Sequence, residues 1–258
     1  MPAGSALVTG ASAGLGAEFA RQLAARGHDL LLVARREERL AELARELGAA
    51  HGVRVDVFAA DLAEREAPAR IEAFAAAQGL RIDWLVNNAG AAGPDLLEDR
   101  DWNAQARFFE LMMLCVAQLC HRFIPPMRER GFGRVINVSS FAGRLARPAG
   151  ANYGPTKAYL VALSEELALV LRGSGVHVSA LCPGFTHTEF HEVAGLMEMK
   201  RGLPGFLWYD AATVVREGLS AVERGTPIWI SGRLYRWLDP FAQSVWLRPL
   251  LKALAPGR

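Results

Sequence analysis

Lysine is nearly missing from this chain: of 29 basic residues only Lys157, Lys200 and Lys252 are lysine, and the other 26 are arginine. A lysine here is therefore not the default cation. Cysteine is equally scarce. Cys115, Cys120 and Cys182 sit in apolar patterns, and their odd number argues against a disulfide framework and for reduced core thiols. No apolar run reaches the roughly 18 residues that a membrane-spanning helix needs, and no secretory leader opens the chain. The expectation is a soluble, cytoplasmic protein. Repeats, low-complexity tracts and linkers are lacking too, so 258 residues, 51% of them hydrophobic, are read as one domain with a large core. A formal charge of only +2, without a basic stripe interleaved with aromatics, excludes nucleic acid as the expected partner. His187 and His191, with Glu189 and Glu192, suggest a metal only superficially, since a third ligand at the right spacing is missing.

What is present is an alternation of strand and helix patterns. Strands are expected near 5–9, 29–34, 53–58, 82–86, 133–138, 176–181 and 227–230. Helices are expected near 14–26, 37–48, 64–78, 103–130, 152–172 and 211–224. Such alternation requires a parallel sheet with crossover helices. The stretch S-A-L-V-T-G-A-S-A-G-L-G, from Ser5 to Gly16, runs from a strand through a glycine turn into a helix. In that arrangement Gly10 permits the tight turn, Gly14 lets backbone approach a pyrophosphate, and Gly16 allows close helix packing at a helix N-terminus that favours anions. The apolar D-L-L-L-V-A-R-R from Asp29 to Arg36 follows as a second strand, suited to burial on both faces.

The second signal is Tyr153 and Lys157 in N-Y-G-P-T-K, with Tyr153 standing 13 residues after Ser140. Four residues apart on a helix, a phenol and an ammonium share one face, and the cation favours the phenolate. Asn152 is expected to cap this helix, with Pro155 in its first turn, where a missing N–H is harmless.

Six ordered markers now stand on the chain: T-G-A-S-A-G-L-G at 9–16, Asp61-Leu62, N-N-A-G at 87–90, N-V-S-S at 137–140, Y-G-P-T-K at 153–157 and P-G-F-T-H-T at 183–188. With them the chain resembles the short-chain dehydrogenase/reductase family, over residues 5 to about 190. The resemblance implies an α/β fold, a single doubly wound Rossmann domain with a parallel sheet of about seven strands flanked by helices. The expected order is 3-2-1-4-5-6 with a seventh strand at the edge. It implies hydride transfer between a nicotinamide dinucleotide and a carbonyl or alcohol carbon. Tyr153 would be the general acid/base and Lys157 the group that lowers its pKa and binds the nicotinamide ribose. Ser140 would orient the carbonyl, with Ser139 the structural neighbour. By the same resemblance Asp61 meets the adenine, Asn87 with Ala89 and Gly90 flanks the adenosine ribose, and Thr188 holds the carboxamide. Leu15, Leu62, Pro183, Gly184 and Thr186 come with the markers as further coenzyme contacts. Homo-oligomers are usual in the family.

Cofactor choice is read at the end of the second strand. An acid there would bind an unmodified ribose, whereas Arg35 and Arg36 suit a 2′-phosphate, so NADP(H) is expected, with Ser12 as an added phosphate contact. The same R-R-E-E-R would also open a solvated helix with i, i+4 pairs. One departure stands out. Counting 13 residues back from Pro125, the family's usual water-holding asparagine is replaced by Met112 (Met113 if Pro126 is the anchor), and a thioether is at most a weak acceptor. The reading is a Ser–Tyr–Lys enzyme without that asparagine, the alternative an NADP(H)-binding regulatory or membrane-surface protein with reduced or lost catalysis. Residues 185–210 take the place of the family's substrate lid. Phe190, Met197, Met199, Phe206, Leu207 and Trp208 suit a bulky apolar substrate, or ordinary packing or a subunit contact. The segment 233–258 is basic, aromatic and amphipathic. Packing on the domain or a neighbouring subunit is favoured for it over lying on an anionic membrane surface.

Overall fold

The computed structural model describes residues 4–145, 152–187 and 204–247. The apolar segments form β1 (Ser5–Thr9), β2 (Leu30–Ala34), β3 (Val55–Ala59), β4 (Ile82–Asn87), β5 (Gly133–Val138) and β6 (Val176–Pro183). Two short strands, β7 (Phe185–Thr186) and β8 (Trp208–Tyr209), pair with each other, and β9 (Ile228–Ser231) ends the series. The main sheet is seven-stranded and parallel in the order β3-β2-β1-β4-β5-β6-β9. Every residue of β1 and β2 is buried, as central strands covered on both faces must be.

Between the strands run α1 (Gly14–Ala24), α2 (Glu37–His51), α3 (Ala67–Ala77), α4 (Trp102–Phe109), α5 (Cys115–Glu129), α6 (Tyr153–Val170) and α7 (Ala211–Glu223), followed by α8 (Arg233–Gln243). One face of the sheet is covered through Phe19 and Leu23 of α1, Leu40 and Leu47 of α2, and Val215 and Leu219 of α7. The other is covered through Ile71 of α3, Leu119 and Phe123 of α5, and Leu160 of α6. Each such side chain contributes roughly 1.5–3 kcal/mol on burial, which ties the helices to fixed positions over the strands. Cys115, Cys120 and Cys182 are buried and unpaired within these layers.

Four features differ from the sequence reading or add to it. Asn152 stands at the N-cap position of α6 but makes no side-chain cap; its Nδ2 donates to Pro94 O at 3.2 Å and to Gln105 Oε1, and these long-range contacts, rather than the first-turn N–H groups, orient the amide. The helix of the fourth crossover is interrupted by a π-turn at Glu110–Leu114. The continuous stretch Trp102–Glu129 does pass the length and composition test for a membrane span, but Leu119, Phe123 and Met127 of its apolar face are buried against the sheet. Finally, the start of the basic aromatic segment is the helix α8. Its Tyr235, Asp239 and Ala242 face the domain, while Trp237, Phe241, Val245 and Trp246 are exposed. Residues 248–258 lie outside the described residues, as do Thr188, Glu189, Phe190, His191, Glu192, Met197 and Met199, and nothing is described of the Phe206 side chain.

Candidate active site

Strand order reverses between β1 and β4, whose neighbours lead away in opposite directions, and the crevice at the carboxyl ends of such a pair is where a doubly wound sheet binds ligands. The turn after β1 is shaped by its glycines. Gly10 has φ +66°, a left-handed conformation that favours glycine. At Gly16 a Cβ would fall 2.2 Å from Gly10 O, so any side chain would drive α1 away from the turn. Ala13 caps α1 without a side-chain acceptor and no acid stands in the first turn, which leaves the helix N-terminus to a ligand anion.

The flank of this turn is fastened to β4. Thr9 Oγ1 donates to Val86 O at 3.3 Å and accepts from the backbone N–H of Asn88 and Ala89 at 3.0 and 3.1 Å. The Asn88 side chain donates to Thr9 O at 2.9 Å and to Gly10 O at 3.3 Å. Asn87 is placed differently from its expected ribose role. Its side chain is 2% exposed and donates to Asn137 Oδ1 at 2.8 Å, while Asn137 donates to Ser164 Oγ at 2.9 Å. Asn87 thus joins β4, β5 and α6 inside the core, and only its backbone remains for the crevice. Thr9 and Asn88 belong to the quoted markers, but nothing local in the sequence distinguishes their fastening role from their neighbours.

At the end of β2, Arg36 reaches back across the crevice. Its Nη2 and Nε donate to Ser12 Oγ at 3.0 and 3.2 Å. A guanidinium and a hydroxyl expected to share a phosphate thus meet at the rim of the glycine turn, and Arg35 beside them is exposed. Asp61 Oδ2 accepts from Arg107 of α4 at 2.7 Å, and its Oδ1 caps the Ala63 N–H at 3.0 Å. Leu62 is buried; Leu15 is half-buried, and Gly90 is exposed.

The reactive end lies where β5 meets α6. Lys157 is 4% exposed, and its Nζ donates to Val138 O at 2.8 Å. The ammonium stands 5.7 Å from the centre of the Tyr153 ring. Burial, the dominant cause, pulls the lysine pKa from 10.5 down to about 8, and the neighbouring Cys182 opposes it. Ser139 Oγ donates to Lys157 O at 2.7 Å and is buried, a structural use. Ser140 is half-buried and caps a 3-10 turn (Phe141–Gly143) by accepting from Ala142 N at 3.1 Å, which leaves its own O–H to donate. This turn rests on α6. A Cβ on Gly143 would meet Lys157 C at 2.6 Å, and one on Gly154 would meet Ala142 O at 3.2 Å. Ser140, Tyr153 and Lys157 are therefore gathered on one packed corner.

Met112, in the π-turn, is 1% exposed and points to the same corner. Its Sδ accepts from Ala91 N at 3.4 Å, and a Cβ on Gly90 would lie 3.4 Å from that sulfur and 3.6 Å from Lys157 Nζ. The thioether and the ammonium thus both border Gly90, with the sulfur holding the Ala91 N–H. On the far side, Pro183 and Thr186 are buried, Gly184 lies against the Tyr235 ring, and Phe185 packs on Trp208 with centroids 5.1 Å apart. Among the described residues no group of three or more His, Cys, Asp or Glu is placed to hold a metal.

Comparison with known proteins identifies the family and the fold. Residues 5–198 match the short chain dehydrogenase family. A sulfoacetaldehyde reductase of Chromohalobacter salexigens is 35% identical over 191 residues, covering 71% of this chain and 73% of that protein. A very-long-chain 3-oxoacyl-CoA reductase of Mycosarcoma maydis is 35% identical over 242 residues, 92% of this chain and 69% of that one. Among solved structures, a short-chain dehydrogenase from Sphingobium yanoikuyae in complex with NADPH superposes with a TM-score of 0.81 at 31% identity, covering 98% of this chain and 96% of that one. A bulky-bulky ketone specific alcohol dehydrogenase from Comamonas testosteroni superposes with a TM-score of 0.78 at 27% identity, covering 99% and 96%.

Proposed function

The chain belongs to the short-chain dehydrogenase family, and from that premise we propose that it is an NADP(H)-dependent oxidoreductase acting on a bulky apolar ketone or the corresponding alcohol. The observation that carries the reading is the corner of Ser140, Tyr153 and Lys157 beside the glycine turn, with Arg36 and Ser12 meeting at the rim of that turn.

The residues fit the dinucleotide. The N-terminus of α1, which no side chain caps, would hold the pyrophosphate, and the backbone at Ala89 and Gly90 would flank it. Arg36 with Ser12 takes the 2′-phosphate, where a carboxylate would repel it. Bound there, the reduced nicotinamide supplies the hydride. Tyr153 donates its proton to the oxygen that becomes the alkoxide, and Lys157 stabilises the phenolate left behind. Ser140, which accepts from Ala142 N through one lone pair, keeps its O–H to donate to the substrate oxygen. For oxidation of an alcohol the same groups run in reverse.

Support for an apolar substrate comes from Phe141 and Phe185, half-buried beside the serine turn and backed by the buried rings of Tyr235 and Trp208. Proteins named for a very-long-chain acyl substrate, a steroid and a bulky-bulky ketone stand among the similar ones, beside a reductase named for sulfoacetaldehyde, so the relatives do not fix the size of the substrate. The test is coenzyme consumption by the purified protein over a panel of aryl, steroid and long-chain ketones and aldehydes, run with NADPH and with NADH. NADPH turnover on bulky ketones is expected. Preference for NADH would overturn the assignment of Arg36, and lack of affinity for either coenzyme would overturn the whole reading.

A further inference from the structure

Building on that reading, we infer that α8 is a clamp that positions the serine turn and the base of the substrate segment as one block, with Asp239, Arg144 and Tyr235 as its positioning residues. The first contact is a forked ion pair. Arg144, immediately after the turn that Ser140 caps, donates from Nε and Nη2 to the two carboxylate oxygens of Asp239 at 2.9 and 2.7 Å. The side chains are 18% and 12% exposed, so the pair is largely shielded from water and its geometry is tightly held. One turn further along α8, Gln243 donates to the Arg144 carbonyl. Side chain and backbone of Arg144 are thus both held from one helix.

The second contact is Tyr235. Its ring packs on Phe141 of the serine turn, with centroids 5.1 Å apart. Its hydroxyl donates to Leu207 O at 3.0 Å and accepts from Phe185 N at 3.4 Å. Phe185 and Leu207 stand on either side of residues 188–203, and the β7–β8 pairing of Phe185 with Trp208 closes the base of that excursion. One phenol therefore touches both ends of the substrate segment and the turn that carries Ser140. Gly184 is a glycine for the same reason, since a Cβ there would lie 2.0 Å from the Tyr235 ring. Neither Asp239 nor Tyr235 reaches the reacting atoms; they act through Ser140 and through the segment base.

Asp239→Asn removes the charge of the pair at constant shape, Arg144→Lys keeps the charge without the fork, and Tyr235→Phe keeps the ring without the hydroxyl. Two readouts are taken: steady-state kinetics with NADPH and a bulky ketone, and hydrogen exchange at the Gly143 and Arg144 amides, which donate to Ser140 O and Phe141 O at 3.0 Å. We expect D239N to lower kcat about tenfold or more with the NADPH Kd unchanged, and to speed exchange at those two amides. R144K should recover part of kcat. Y235F should raise the ketone KM several-fold with kcat nearly intact. Equal exchange rates in D239N and wild type would overturn the clamp whether or not a substrate has been found. So would a fall in thermal stability in D239N and Y235F with kcat and KM unchanged. A wild-type protein that turns over no carbonyl, with exchange at the two amides faster in D239N, overturns the proposed function and leaves the clamp standing.

Discussion

The glycine turn and the serine turn both lie at the carboxyl end of a central strand, yet they are stabilised in opposite ways. The glycine turn takes its shape from its own residues: a left-handed Gly10, and a Gly16 whose missing Cβ lets α1 touch the turn. Its cation, Arg36, comes from the next strand, 24 positions away from Ser12. The serine turn is held from outside, by Asp239 at 95 positions from Arg144 and by Tyr235. A phosphate cradle needs backbone N–H groups in the right shape, which a short segment can specify. A proton-transfer corner needs side chains at fixed distances in a water-poor setting, and that takes packing from several elements.

Substitutions in the two regions should therefore separate binding from chemistry. The largest effect is expected from Tyr153→Phe, which removes the only proposed proton donor while keeping the ring. Turnover should fall by roughly 10²- to 10⁴-fold with the NADPH Kd nearly unchanged, measured by steady-state kinetics and coenzyme fluorescence. Loss of coenzyme affinity in this variant would show that the two regions are not separable. Next in size, Arg36→Ser should cost about 1.5–3 kcal/mol of charge-assisted bonding to the 2′-phosphate, lowering kcat/KM for NADPH while leaving that for NADH unchanged. Equal losses with both coenzymes would move the phosphate site elsewhere. Gly16→Ala places a methyl against the Gly10 carbonyl. It should destabilise the fold by about 1–3 kcal/mol, read from a lowered Tm, and weaken coenzyme binding with it.

A smaller effect sharpens the contrast through pH. Lys157 is brought to about 8 by burial, from an ordinary 10.5. Between those values the unfolded chain holds more proton than the folded one, so native stability contributed by this residue rises with pH across that window. Lys157→Met lacks the linkage. The Tm of K157M relative to wild type should be highest near pH 7 and should decline toward pH 10, whereas R36S should track wild type throughout. A Tm difference that is flat in pH would place Lys157 in better contact with water than its burial indicates. Smallest of all, Met112→Asn replaces the thioether that borders Gly90 with an amide, the group the family usually carries there. Turnover should rise a few-fold or stay level; a collapse with folding intact would assign the π-turn another duty.

The alternation of strands and helices and the glycine turn were legible because they depend on local patterns, unbroken apolar strands for a two-sided sheet and glycines where a Cβ cannot fit, whereas the strand order came with the family resemblance. Tyr153 and Lys157 were legible for a related reason, since a spacing of four on α6 places them together whatever surrounds them. Asn152 and Asn87 show the limit. Asn152 has the composition of a cap, but Gln105 and Pro94, brought near by the fold, take its amide. Asn87 stands among the markers beside Asn88, and only the pairing of β4 with β5 turns it inward to Asn137.

By itself, then, the sequence determined the elements, their alternation, the glycine turn and the phenol–amine pair, because each is decided within a few residues by backbone sterics and helical periodicity. The tertiary structure alone decided how acidic the lysine is, which asparagine faces the crevice, and that a C-terminal helix grips the serine turn. Those properties follow from desolvation and from contacts between residues far apart in the chain, and neither is encoded in any single stretch of it.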